Sequence, residues 1–203
     1  VPGTASGRTL CSPLPVVQTL MSDPAARAIY VFRTKALAQD QYGTLAAWAA
    51  EPDLADVLRP AVYDGDTPAH SRTKIRTTAN VLLTNPDMLH VGILPYHGKW
   101  HAMLRDLRFI VLDEVHTYRG IFGSHVAGVI RRLLRLCEHY GSRPQIIASS
   151  ATIANPKEHA ERITGGQMEL ITGDGSPRGP KRFIMWNPPP IETAARGNAT
   201  DWK

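Results

Sequence analysis

Four apolar residues followed at once by two acids, Phe109-Ile110-Val111-Leu112-Asp113-Glu114, constrain this chain more than any other stretch. An unbroken apolar run with two β-branched members reads as a strand buried on both faces. Adjacent carboxylates cannot sit in the middle of such a strand without a large desolvation penalty. They therefore mark its carboxyl end, where open parallel sheets place their ligands. Residues 28–32, 61–63, 81–84 and 145–150 read as further strands, and 168–171 and 182–186 as two late ones.

Helical segments separate these strands. Leu10, Leu14, Val17 and Leu20 recur at helical spacing, with Pro13 and Pro15 bending or delaying that helix. Thr34 is placed to cap a helix over residues 35–50, and Pro68 opens a basic helix holding Arg72, Lys74 and Arg76. Residues 121–140 form a long helix with Val126, Val129, Ile130, Leu133, Leu136 and Cys137 on one face. Arg131, Arg132 and Arg135 fall largely outside that face and read as a solvated surface, with nucleic-acid contact as the alternative. Alternating strands and helices imply an α/β fold with a mostly parallel sheet flanked by helices. From Asn187 the chain turns to Pro188-Pro189-Pro190 and polar residues, a linker composition.

Composition narrows the partners. The chain has 203 residues, enough for one sizeable core; 43% are hydrophobic and 20% charged, which argues against disorder. A formal net charge of +5 leans towards polyanions. Cys11 and Cys137 form neither a Cys-x-x-Cys pair nor a zinc spacing, which suits a cytoplasmic protein, nucleoid-associated if bacterial. No apolar run has membrane-spanning length, so no membrane partner is expected. His97 and His101 share i,i+4 spacing but lack the acid of a zinc helix, and Asp64-Gly65-Asp66 is followed by Pro68 where a calcium loop needs an oxygen ligand.

At a strand end, Asp113 can hold Mg²⁺ and Glu114 can orient or deprotonate a water, the two tasks of nucleoside-triphosphate hydrolysis. A phosphate-binding loop reads G-x-x-x-x-G-K-[ST]. The window Pro2-Gly3-Thr4-Ala5-Ser6-Gly7-Arg8-Thr9 matches at Gly7 and Thr9 and departs at Pro2 and Arg8. Alone, either feature has a plain alternative: a strand ending in solvated acids, and an ordinary loop.

The order of short motifs adds a resemblance. Gly3-Thr4-Ala5-Ser6-Gly7-Arg8-Thr9, Thr34-Lys35-Ala36-Leu37-Ala38, Tyr63-Asp64-Gly65-Asp66-Thr67, Thr84-Asn85-Pro86-Asp87, Asp113-Glu114-Val115-His116 and Ser150-Ala151-Thr152 stand in the order found in superfamily 2 DEAD/DEAH-box helicases. His116-Thr117-Tyr118-Arg119-Gly120, Phe122-Gly123-Ser124-His125-Val126 and Trp186-Asn187-Pro188-Pro189 resemble the bacterial mitomycin-repair branch, which is related to fungal RecQ-like helicases.

The resemblance implies a RecA-like P-loop NTPase lobe over residues 1–186, lacking the strand before the loop. Residues 187–203 would lead to a second RecA-like lobe, with a C-terminal cysteine-cluster domain beyond it. ATP and Mg²⁺ are the implied cofactors and single-stranded DNA the partner. Gly3, Thr4, Ala5, Ser6 and Gly7 would cradle the phosphates, Arg8 would stand in for the catalytic Lys, and Thr9 and Asp113 would serve Mg²⁺. Glu114 would activate the attacking water. His116, Ser150 and Thr152 would couple the nucleotide to lobe movement, and Thr34, Lys35, Thr84 and Asn85 would meet the nucleic-acid backbone. Judged by residue type alone, His116 also reads as a structural histidine, Asn85 as a plain helix start, and Ser150 as a strand-end hydroxyl. Arg8 is broader than Lys and donates in a planar fork, so weak nucleotide binding and slow hydrolysis are expected.

Overall fold

A computed structural model describes residues 8–151, 153–172 and 184–187. A first turn of helix, α1 (Arg8–Cys11), leads into α2 (Pro13–Ser22), whose two prolines fall in the first turn, where a missing N–H is harmless. Strand β1 (Arg27–Val31) is followed by α3 (Lys35–Ala49), β2 (Pro60–Val62), α4 (Ala69–Thr78) and β3 (Val81–Thr84). A broken helical run then begins with α5 (Pro86–Met88), passes through turns over Leu89–Ile93 and Leu94–Trp100, and ends in α6 (His101–Arg105). Strand β4 (Leu107–Leu112), α7 (Gly120–His139), β5 (Gln145–Ala148) and α8 (Pro156–Thr164) complete the described elements.

The five strands pair in parallel in the order β2-β3-β1-β4-β5. The chain leaves β1 towards β2 and leaves β4 towards β5, so the connections diverge between β1 and β4. That divergence is the switch point where such sheets open a crevice at the carboxyl ends of their strands.

Alternation along the strands builds two cores. Ala28 and Tyr30 join Val16, Val17 and Leu20 of α2 and Leu45 of α3 on one face. Ile29 and Val31 join Ile93, Leu104 and the α7 residues Val126, Ile130, Leu133 and Cys137 on the other. Ile29, Leu82 and Ile110 are fully buried, as an apolar run covered on both faces requires. The apolar stripe expected of α7 lies inward, Arg131 and Arg135 are exposed, and Arg132 is half-buried.

The strand expected over 168–171 is absent, and the described part of the one expected over 182–186 carries none. Residues 167–172 carry no strand, with Leu170 and Ile171 at 42% and 76% exposed. Residues 184–187 are likewise irregular and exposed, while Arg182 and Phe183 lie outside the described residues. An apolar run becomes a strand only where a neighbouring edge accepts its hydrogen bonds, and composition says nothing of that. The strand expected over 145–150 ends at Ala148.

Candidate functional site

Register brings the motif residues to one end of the sheet. Val31 lies beside Thr84 on one side and Leu112 on the other, and Leu112 beside Ala148. Residues just past these positions share that rim, which sets Asp113, Ser149, Thr34 and Asn85 along one edge. The ladder continues one step into the rim: Asp113 N–H donates to Val31 O (3.2 Å), Phe32 N–H to Thr84 O (2.9 Å) and Ser149 N–H to Leu112 O (2.9 Å).

On the β4 side the acids are held by the segment after β5. Ser149 Oγ donates a short hydrogen bond to Asp113 Oδ1 and accepts from the Glu114 N–H at 3.3 Å. Val115 N–H donates to Ser149 O at 2.9 Å. Glu114 itself adopts a left-handed backbone, φ 51° and ψ 43°, and is the one positive-φ non-glycine residue among the described residues. Its carbonyl accepts from Thr117 Oγ1 (2.8 Å) and Thr117 N–H (2.9 Å), closing the turn Val115–Thr117.

His116 sits between the acid and the next motif. Its Nδ1 lies 3.2 Å from Glu114 Oε2 and 3.1 Å from the Ala151 N–H donor. One ring nitrogen cannot donate to a carboxylate and accept from an amide together. The amide is aimed at the ring, so here Nδ1 accepts, and the ring hydrogen belongs on Nε2. Below this turn, His159 of α8 donates through Nε2 to Val115 O (2.8 Å), tying α8 to the segment after β4.

Tyr118 ends the turn, 1% exposed, with a hydroxyl that finds no partner among the described residues. Burial, followed by the negative charge of Asp113, pushes its pKa upwards. Gly123 lets α7 start against it, because a Cβ there would stand 2.4 Å from Tyr118 O.

The β1 and β3 side is built from helix starts. Thr34 Oγ1 accepts from Leu37 N–H at 3.4 Å, and Asn85 Oδ1 from Met88 N–H at 2.7 Å, capping α3 and α5. Lys35 is exposed and pairs with Asp66, whose own N–H donates to Asp64 Oδ1 (2.9 Å) in the turn after β2. Thr84 is 1% exposed and donates to Tyr63 O (2.7 Å), so its hydroxyl braces that turn from inside. Ser150 is buried and bonds Ala151 O at 2.9 Å.

Gly3, Thr4, Ala5, Ser6, Gly7 and Thr152 lie outside the described residues, and of Arg8 and Thr9 only the backbone of α1 is described. The sequence reading missed Ser149, choosing its neighbour Ser150. The signal was register: if Leu112 faces Ala148, the next residues, Asp113 and Ser149, must meet. It also missed His159, for which helical position alone gave no cue. His97 Nδ1 meets Tyr140 OH at 2.8 Å and His101 Nδ1 meets Gly98 O at 3.1 Å.

The switch-point sheet with acids at the end of β4 defines a RecA-like α/β lobe. The DEAD/DEAH box helicase family model matches residues 2–159. The ATP-dependent helicase YprA of Bacillus subtilis (strain 168) is 52% identical over 186 residues, covering 92% of this chain and 25% of YprA. The ATP-dependent helicase hrq1 of Schizosaccharomyces pombe is 43% identical over 191 residues, covering 93% of this chain and 18% of its own length. The crystal structure of DUF1998 helicase MrfA bound to DNA and AMPPNP matches with a TM-score of 0.84 and 51% identity over 87% of this chain and 25% of that one. The chain belongs to the DEAD/DEAH-box helicase family, in the MrfA-like branch related to the RecQ-like helicases. It spans about a quarter of the length of YprA and less of hrq1.

Proposed function

We propose that residues 1–186 are the ATP-binding lobe of an ATP-dependent DNA helicase acting in DNA repair, with 187–203 leading towards a second lobe and a cysteine-cluster domain. In this reading ATP hydrolysis drives 3′-to-5′ movement on single-stranded DNA in the cytoplasm. The supporting observation is the Asp113–Glu114 pair, fixed by Ser149 at the carboxyl end of β4.

The residues present suit Mg²⁺: Asp113 offers a hard oxygen donor, and a Ser149 hydroxyl on one carboxylate oxygen leaves the other directed by the bond rather than free to rotate. When bound, Mg²⁺ would neutralise charge on the β- and γ-phosphates, with Asp113 and Thr9 holding it. Backbone amides of Gly3 to Gly7 would cradle the phosphates, beside Arg8. Glu114 would accept a proton from the water whose oxygen bonds the γ-phosphorus as the bond to the β-phosphate oxygen breaks, giving ADP and phosphate.

Coupling would run through His116. Its Nδ1 lies within reach of both Glu114 and the Ala151 amide, so a change at the acid would move the segment beginning at Ser150, with Thr152 as its expected partner in coupling. Thr34, Lys35 and Asn85 would meet DNA phosphates at helix starts, with Thr84 supporting them from below.

A second reading rests on Arg8 in the Lys position. In it, hydrolysis has been lost and the lobe only binds nucleic acid. ATPase assays with and without oligo-dT separate the two. DNA-stimulated turnover reduced ~10²–10⁴-fold by Glu114→Gln supports the motor. Absence of turnover, restored by Arg8→Lys, supports the binding remnant.

A further inference from the structure

The outer face of α7 carries a stripe that the nucleotide site does not use. His125, Gly128, Arg132 and Arg135 recur at spacings of three, four and three, opposite the buried stripe of the same helix. Together with Pro86, the exposed His90 and the bend after α5, they line a groove of about 540 Å³. Arg132 Nη1 donates to His90 Nδ1 at 3.0 Å, which holds the guanidinium across the groove. A smaller recess of about 230 Å³ adjoins it, again bordered by Arg132 and Arg135. Asp87 is the one acid in the lining of either.

Three features point to the same occupant. The lining is strongly cationic, which suits a phosphate backbone. The groove begins at Pro86, next to the Asn85 cap, so it continues the rim already assigned to nucleic acid. Phe122, 39% exposed, stands at its α7 end beside Ile121, 81% exposed, and offers an aromatic face of the kind on which unpaired bases stack. At its floor Gly128 has no atom within 4 Å of where a Cβ would lie, leaving the backbone open to approach. From His125 to Arg135 the stripe runs about 15 Å.

We propose that this groove is a second tract for single-stranded nucleic acid, with Arg132 and Arg135 on phosphates and Phe122 stacked on a base. The proposal rests on the nucleic-acid reading of the rim at Lys35 and Asn85 and extends it along α7.

Fluorescence anisotropy of labelled oligo-dT on the purified protein, over a range of salt, tests it. The double variant Arg132→Ala/Arg135→Ala should flatten the plot of log K against log salt by about 1.4, at ~0.7 per phosphate contact. Arg132→Lys/Arg135→Lys should keep the slope. Phe122→Ala should weaken binding about fivefold or more without changing the slope. Gly128→Leu, which places a side chain where the floor is open at the Cβ position, should weaken it as well. An unchanged slope in the alanine double variant, with Lys35→Ala still weakening binding, overturns the groove while leaving the rim. No effect from either overturns both. A hairpin duplex competing more strongly than oligo-dT also overturns the single-strand assignment.

Discussion

Glu114 holds a left-handed backbone, φ 51° and ψ 43°. Such a conformation costs about 1–2 kcal/mol in a residue with a Cβ. Thr117, Ser149 and the ladder bond of Asp113 over-determine it, which is how strain persists at a working position. Glycine would adopt the same angles without the steric cost, though with a larger loss of backbone freedom of about 0.5–1 kcal/mol. Glu114→Gly is therefore expected to hold or raise stability by up to about 1 kcal/mol in chemical denaturation while ending any ATP turnover. A loss of more than about 1 kcal/mol would show that the carboxylate stabilises the fold instead. This residue was legible in the sequence as an acid at a strand end; its backbone was not, because nothing in residue type announces a left-handed glutamate.

At the scale of elements, the starts of α3 and α5 are capped, and the proposed function gives them a second job. Asn85 caps α5 and in the proposed function also faces DNA phosphate. The two roles come apart by substitution. Asn85→Ala should lose the cap, about 1 kcal/mol of stability. Asn85→Asp should keep it, since a carboxylate accepts the same Met88 N–H and suits the helix dipole, yet repel phosphate and lower oligo-dT affinity. If the Asn85→Asp variant bound DNA as well as the parent protein does, the phosphate role would fall.

Caps and proline starts were readable in advance at Thr34, Pro68 and Asn85–Pro86, because their chemistry is local. The five strands were readable for a related reason: runs such as residues 109–112 are too apolar to face water. Pairing was not local. The late runs at 168–171 and, in its described part, 184–186 have strand composition without a strand, and Ser149 gains its place from the partner across the ladder. The phosphate loop was read from its spacing, and its residues 3–7 lie outside the described residues.

Across the whole molecule, α7 packs its buried stripe on the core, and Cys137 near its end reports on that packing. It is fully buried, and burial pushes its thiol from an ordinary 9.0 up to about 11. The unfolded thiol ionises first as pH rises, so the stability contributed by the neutral thiol is full below about pH 9 and is lost between 9 and 11. The whole effect is on the order of 2–3 kcal/mol. Between pH 8 and 10, melting temperature should fall more steeply for the parent than for Cys137→Ala; equal slopes would show that the site opens to solvent. The buried hydroxyls of Tyr30 and Tyr118 are also shifted upwards and add to the loss at the alkaline end.

The motor role proposed for this lobe depends on the acids at the end of β4 serving a metal-bound triphosphate. Titration of the purified protein with a fluorescent ATP analogue, with Mg²⁺ and then with EDTA, tests that directly. Affinity is expected to depend on Mg²⁺, to fall about tenfold or more in Asp113→Asn, and to survive in Glu114→Gln. Equal affinity with Mg²⁺ and with EDTA, unchanged in Asp113→Asn, would contradict it.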